Sequence, residues 1–297
     1  MFEEESKQRQ FLNKYGISDR EFRMSQMTWG GLSEIIEDFK KYENEHNDIA
    51  SKYVDELRGC QYVHSLNYRV KDCEHLAEKI IRKSAKLNEK GIILNADNYR
   101  EHITDLIGIR IILMFKEDWT QVHEFIMEKY ESQLYEKPFA YVRKGDDISL
   151  YEGKIEIKDD KSYRSVHYVV KSEVESCIEI QVRTLAEEAW GEMDHSLRYP
   201  YNISNIMMNN YMDLVSRLAG MMDEMGTFVH RYIEIFENNY NIYTDNEVYN
   251  YILEELDKIE DKECAQNIKN KILSATDFSK MEKMSNLMSE FWENWKL

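Results

Sequence analysis

The sequence predicts an α+β fold: a mixed β-sheet flanked by helices, followed by an all-helical C-terminal tail. Three observations predict it. From about residue 60 to 199, β-branched runs alternate with amphipathic helical stretches in the order strand, helix, strand, helix, strands, helix. After Pro200 the strand pattern stops, and Leu214, Leu218, Met221, Met225, Phe228, Tyr232 and Ile235 recur every three or four residues. The chain has 297 residues with only 2 prolines and 11 glycines, which is enough length for a sizeable core and leaves no long linker.

The elements follow in order. Residues 1–32 are polar and loosely helical, and form an N-terminal extension. Ser33 to Leu57 carries Ile35, Ile36, Phe39, Tyr42, Ile49, Tyr53 and Leu57 at helical spacing, so a helix is predicted there. "QYVHSLNYRVK" alternates as a strand. "CEHLAEKIIRKSAKLNEKG" is an amphipathic helix with Gly91 as its stop. "LIGIRIILMF", Leu106 to Phe115, is the best central buried strand. "WTQVHEFIMEKYES" is a helix, "FAYVRKG" a strand ending in a turn, and "DDISLYEGKIEIKDDK" a charged hairpin and loop. "RSVHYVVKS" and "CIEIQVRT" make an antiparallel pair, and "LAEEAWGEMDHSLRY" a helix. "EVYNYILEELDKI" and "SKMEKMSNLMSEFWENW" continue the helical tail. The predicted division is 1–32, 33–200 and 201–297.

Composition excludes several classes. A net charge of −17 gives no bulk attraction to nucleic acid or an anionic membrane, so a polyanionic ligand needs a local basic patch. The N-terminus has no apolar signal core, and no run of ~18 apolar residues occurs, so a cytoplasmic chain without a membrane span is expected. The 4 cysteines form no CxxC pair and read as reduced thiols. There is no GxxxxGK[ST], GxGxxG, HExxH or nucleophile elbow.

Four stretches could carry chemistry. Arg69, Lys71, Lys79, Arg82 and Lys83 make a basic strand-to-helix junction that could clamp phosphates, or a solvated face paired with Asp72, Glu74 and Glu78. In "DLIGIR", Asp105 suits a Mg²⁺ ligand, since that ion takes one or two carboxylates plus substrate phosphates; a buried pair with Arg110 is the structural alternative. In "YRSVHYVV", Tyr163 and His167 share a strand face, with Lys158 and Lys161 before them. That suits stacking on a base beside phosphate contacts, or ordinary strand-end packing. In "EIQVRT", Glu179, Gln181 and Arg183 share one face opposite Ile180 and Val182, which suits a substrate surface or a half-exposed sheet. Asp194 and His195 are adjacent on a helix, point apart, and read as structural.

Taken in this order, "RVKDCEHLAEKIIRK", "DLIGIRII", "YRSVHYVV" and "EIQVRTLAEEAWGEMDHSLRY" resemble the synthetase domain of RelA/SpoT-type alarmone synthetases, over roughly residues 33 to 200. The helical tail resembles that of the small, single-domain class. The resemblance implies Mg²⁺-dependent transfer of pyrophosphate from ATP to the ribose 3′-hydroxyl of GDP or GTP. It implies that Arg69 and Arg110 sandwich the adenine, and that Lys71, Lys79 and Arg82 hold the ATP phosphates. Asp105 and Glu179 would be the metal and catalytic carboxylates. Tyr163 would stack on guanine, with His167, Gln181 and Lys161 also on the acceptor side. Ser162, His75 and Asp159 depart from the usual glycine, serine and lysine. No HD-type hydrolase signature is present. Small members are often homo-oligomers. Two other readings share the stretch: a toxic relative acting on the tRNA 3′ end, with tRNA or an antitoxin as partner, and an inactive nucleotide sensor.

Overall fold

The computed structural model describes residues 2–173, 176–198 and 205–238, and scattered helical residues between 253 and 270. "SKMEKMSNLMSEFWENW" and most of "EVYNYILEELDKI" lie outside the described residues. Two compact units are distinguished, Met1–Asp223 and Glu224–Leu297.

The N-terminal half begins with four helices: α1 (Phe2–Lys14), α2 (Asp19–Met24), α3 (Trp29–Lys41) and α4 (Glu43–Leu57). Ser18 caps α2 in a reciprocal capping box with Glu21, and the Thr28 hydroxyl caps α3 at the Gly31 amide. The single helix expected over Ser33–Leu57 is two, because the chain breaks at Tyr42 (φ −101°, ψ 5°). The break gives the two apolar faces different targets. Ile35 and Phe39 enter a helical core with Leu12, Tyr15 and Ile17 of the N-terminal segment, whereas Tyr53, Val54 and Leu57 pack under the sheet.

The sheet comprises β1 (Ser65–Val70), β2 (Ile107–Leu113), β3 (Phe139–Arg143), β4 (Glu156–Asp160), β5 (Ser165–Lys171) and β6 (Cys177–Thr184). Their order is β1-β2-β6-β5-β3-β4. β2 runs parallel to β6, and β5 antiparallel to both β6 and β3. β4 corrects the expected hairpin: it lies parallel to β3 at the sheet edge. Parallel neighbours need a connection of about a dozen residues. Residues 144–155 supply it, leaving β3 through Gly145 (φ 101°) and anchored by buried Tyr151 and Ile155.

Period-two burial divides the sheet into two faces. Ile107, Ile109, Ile111, Tyr168, Ile178, Ile180 and Val182 point to one core, closed by α4 and by α7 (Trp119–Tyr130). Each fully buried aliphatic side chain contributes about 1.5–3 kcal/mol. The opposite face carries the polar members of the same strands. Around it stand α5 (Cys73–Asn88), the short α6 (Tyr99–His102), α8 (Leu185–Arg198) and the start of α9 (Ile206–Asn238). The Asp72 carboxylate caps α5 by accepting from the Glu74 and His75 amides. No helix among the described residues is long and apolar enough to cross a membrane.

Candidate active site

Register places the polar residues in rows across the sheet. Arg69 lies opposite Gly108, and Gly108 opposite Glu179. One step along, Asn67, Arg110, Gln181, His167 and Phe139 are successive neighbours. Gly108 leaves the row open: a Cβ there would stand 3.6 Å from Arg69 Cγ. These rows floor a cavity of about 240 Å³ lined by Asn67, Arg69, Asp105, Gly108, Arg110, Glu179, Gln181 and, from α8, Glu192 and His195. Asp105 and Glu179, far apart in the chain, therefore face one space.

Next to it lies a cleft of about 800 Å³ sharing Arg69 and His195 as walls, with Lys71, His75, Lys79, Arg82, Lys83 and Lys86 around it. The basic junction is thus a concave surface, and Lys79 and Arg82 share the face that their spacing predicts. Asp105 Oδ2 accepts from Lys71 at 2.7 Å and Lys79 at 2.6 Å. Burial pulls the Lys71 ammonium below its ordinary value, with Asp105 opposing. Burial would raise the Asp105 carboxyl, but Lys71 and Lys79 outweigh it and hold the group below its usual value. The pair expected as an alternative, Asp105 with Arg110, does not form. Arg110 is held by α8, donating to Glu188 at 2.7 Å and Glu192 at 2.5 Å. Arg82 pairs with Glu78 at 3.0 Å and donates to the Tyr15 carbonyl.

On the other side, Glu179 accepts from Gln181 Nε2 at 2.7 Å and bonds His167 Nδ1 at 3.1 Å. Burial pushes Glu179 up, but the His167 hydrogen bond and charge prevail and hold it below the usual carboxylate value. His167 stacks on Phe139, ring centroids 5.1 Å apart. Tyr163 is half-buried rather than bare at a strand mouth. Its hydroxyl lies 3.2 Å from His167 Nε2 and accepts from Arg183, and its ring meets Tyr141 edge-on and packs near Trp190. Lys161 is exposed and pairs with Asp213 of α9, in a separate depression with Arg143, Lys144 and Arg217.

The residues present fit a divalent ion. Asp105 Oδ1 is buried with no hydrogen-bond partner, so one strong oxygen donor is left unused at the cavity. No group of three His, Cys, Asp or Glu side chains converges among the described residues. Two carboxylates without a closed protein cage suit Mg²⁺, which completes its shell with water and substrate phosphates.

Residues 68–204 match the family model described as "Region found in RelA / SpoT proteins". The chain is 31% identical over 169 residues to GTP pyrophosphokinase YjbM of Bacillus subtilis, covering 53% of this chain and 69% of that one. It belongs to the RelA/SpoT family. A second relative, GTP pyrophosphokinase YwaC of the same organism, is 26% identical over 163 residues, covering 52% of this chain and 67% of the other. Among solved structures, small alarmone synthetase 1 from Bacillus subtilis, bound to its product pppGpp, shares the fold. Its TM-score is 0.50 at 21% identity, over 67% of this chain and 99% of that one.

This RelA/SpoT chain also brings residues to the site that the sequence reading left aside. His195, read as structural, lines both cavities, and Tyr141 reaches the basic cleft. Glu188 and Glu192, four apart on α8, both reach Arg110. Their i, i+4 spacing was a visible signal. Their partner was not, because it depends on how α8 crosses the sheet.

Proposed function

We propose that the chain transfers the pyrophosphate of ATP to the ribose 3′-hydroxyl of GDP or GTP, forming (p)ppGpp. The observation that carries this reading is the placement of Asp105 and Glu179 on one cavity beside a cationic cleft. The 3′-oxygen attacks the β-phosphorus of ATP, the bond from that phosphorus to the oxygen bridging to the α-phosphorus breaks, and AMP leaves with that oxygen. Such transfer depends on positioning and charge neutralisation. Lys71, Lys79 and Arg82 bind the donor phosphates, and Arg69 and Arg110 take the adenine between them. Tyr163, His167 and Gln181 hold the acceptor, whereas Lys161, expected beside them, is paired with Asp213 in the separate depression. Glu179, oriented by His167 and Gln181 and kept ionised, receives the 3′-hydroxyl proton. Asp105 Oδ1 and Glu179 would hold Mg²⁺, which when bound neutralises charge on the transferring phosphates.

The catalytic body is assigned to 33–200, with 1–32 and 201–297 as accessory extensions. Nucleotide substrates and the free thiols of Cys60, Cys73 and Cys177 suit the cytoplasm, and a homo-oligomer is the expected assembly. The test is incubation of the protein with Mg²⁺ and γ-labelled ATP, offering GDP, GTP or deacylated tRNA. Label on a guanosine nucleotide supports the reading. Label on tRNA alone, or no transfer with nucleotide still bound, replaces it.

A further inference from the structure

Arg183 is a buried guanidinium that touches neither cavity, yet it meets both halves of the site. It donates to the Tyr163 hydroxyl at 2.5 Å, Gln181 Oε1 at 3.0 Å, Ser165 Oγ at 3.2 Å and Glu188 Oε2 at 3.1 Å. Each contact leads onward. The Gln181 amide donates to Glu179, and the other oxygen of Glu188 accepts from Arg110. One rigid fork of donors therefore joins the acceptor-side ring, the catalytic carboxylate and the donor-side arginine. Helix α8 is brought down onto it: a Cβ at Gly191 would stand 3.0 Å from Arg183 Nη1, so only glycine fits there without displacement. A buried cation is costly unless fully hydrogen-bonded. This one is satisfied by side chains of the site itself, so its place in the fold and the geometry of the site are the same constraint.

We propose that Arg183 is a positioning residue that couples the two nucleotide sites, so that a change at the donor-side arginine is felt by the acceptor through Glu188, Arg183 and Tyr163. The inference rests on the pyrophosphate-transfer reading. Glu188 reaches the acceptor-side ring through Arg183, which makes the coupling separable. KM for ATP and for GDP, and kcat, are measured for Glu188→Gln, Arg183→Met and the double variant, with melting followed by circular dichroism. Glu188→Gln is expected to raise KM for GDP at least about threefold, as well as KM for ATP, in the native background. In the Arg183→Met background the same change should leave KM for GDP unaltered. Arg183→Met alone raises both KM values.

Should Arg183→Met fail to fold, Gly191→Ala crowds the guanidinium without removing a hydrogen-bonding group, and both KM values should still rise together. The inference is overturned if Glu188→Gln moves KM for ATP alone, if its effect on GDP persists without Arg183, or if Gly191→Ala leaves both constants unchanged. Failure of the wild-type protein to label GDP or GTP overturns the functional reading, and this inference with it. A wild-type enzyme that works, with additive variants, overturns this inference alone.

Discussion

Glu179 has Gln181 and His167 on its two oxygens, and both partners stabilise the ionised form. Its carboxyl therefore stays charged down to below the ordinary Glu value of about 4.3, so Glu179 itself should add no acid limb to kcat/KM above that pH. Glu179→Gln keeps the shape and loses the proposed base. Turnover should fall by about 10²–10⁴-fold while ATP binding, measured by calorimetry, is nearly unchanged. Asp105 gives a stability prediction with a definite sign. Its folded value is depressed, so its contribution is present above the unfolded Asp value of about 3.9 and is lost as pH falls through the folded value. Asp105→Asn leaves Lys71 buried without a counter-charge and should cost about 3 kcal/mol in urea unfolding at pH 7. That difference should shrink at strongly acid pH. The sequence made these carboxylates legible because each interrupts or ends an apolar run, where a charge needs a reason. It did not make legible that Asp105 pairs with Lys71 and Lys79 rather than Arg110, because the choice depends on α5 meeting the end of β2.

Elements are where the reading from sequence was strongest and where its misses have clear causes. β5 and β6 were legible because their alternation sorts every residue to one face, and a one-residue slip would bury Glu179 and Gln181 in the core. β4 was not, because a charged five-residue edge strand carries no periodic signal of its direction; direction is set by the loop that precedes it. The break at Tyr42 was hidden because helical spacing continues through it. The early part of α9 docks through another buried arginine. Arg164 bonds Asp146 and the Ser216 carbonyl and hydroxyl, and a Cβ at Gly220 would stand 2.8 Å from its Nη2. Gly220→Ala should displace that arginine and destabilise the protein by about 1–3 kcal/mol, read as a lowered urea midpoint.

At the scale of the molecule, a net charge of −17 coexists with a cleft walled by Lys71, Lys79, Arg82, Lys83 and Lys86. The surplus carboxylates leave that cleft as a local exception, which suits a small polyanion and gives no broad surface for a long one. Charge also makes stability pH-dependent from the alkaline side. Burial, with Glu187 beside it, pushes Asp223 up to about 8, and Thr184 donates to it at 2.8 Å. A carboxyl raised on folding favours the native state at low pH, and that advantage is lost as pH rises through the folded value. That contribution should therefore be lost between about pH 4, near the unfolded Asp value, and about pH 8, with no further loss from this group above it, and Asp223→Asn should flatten that part of the melting profile. In the proposed reaction two carboxylates, Asp105 and Glu179, share one ion between donor and acceptor. The most direct test is a crystal grown with Mn²⁺ as an anomalous probe, α,β-methylene ATP and GDP. An anomalous peak bonded to Asp105 and Glu179, with donor phosphates in the lysine cleft, is the expected result. A peak that engages neither carboxylate, with both nucleotides bound, would contradict it.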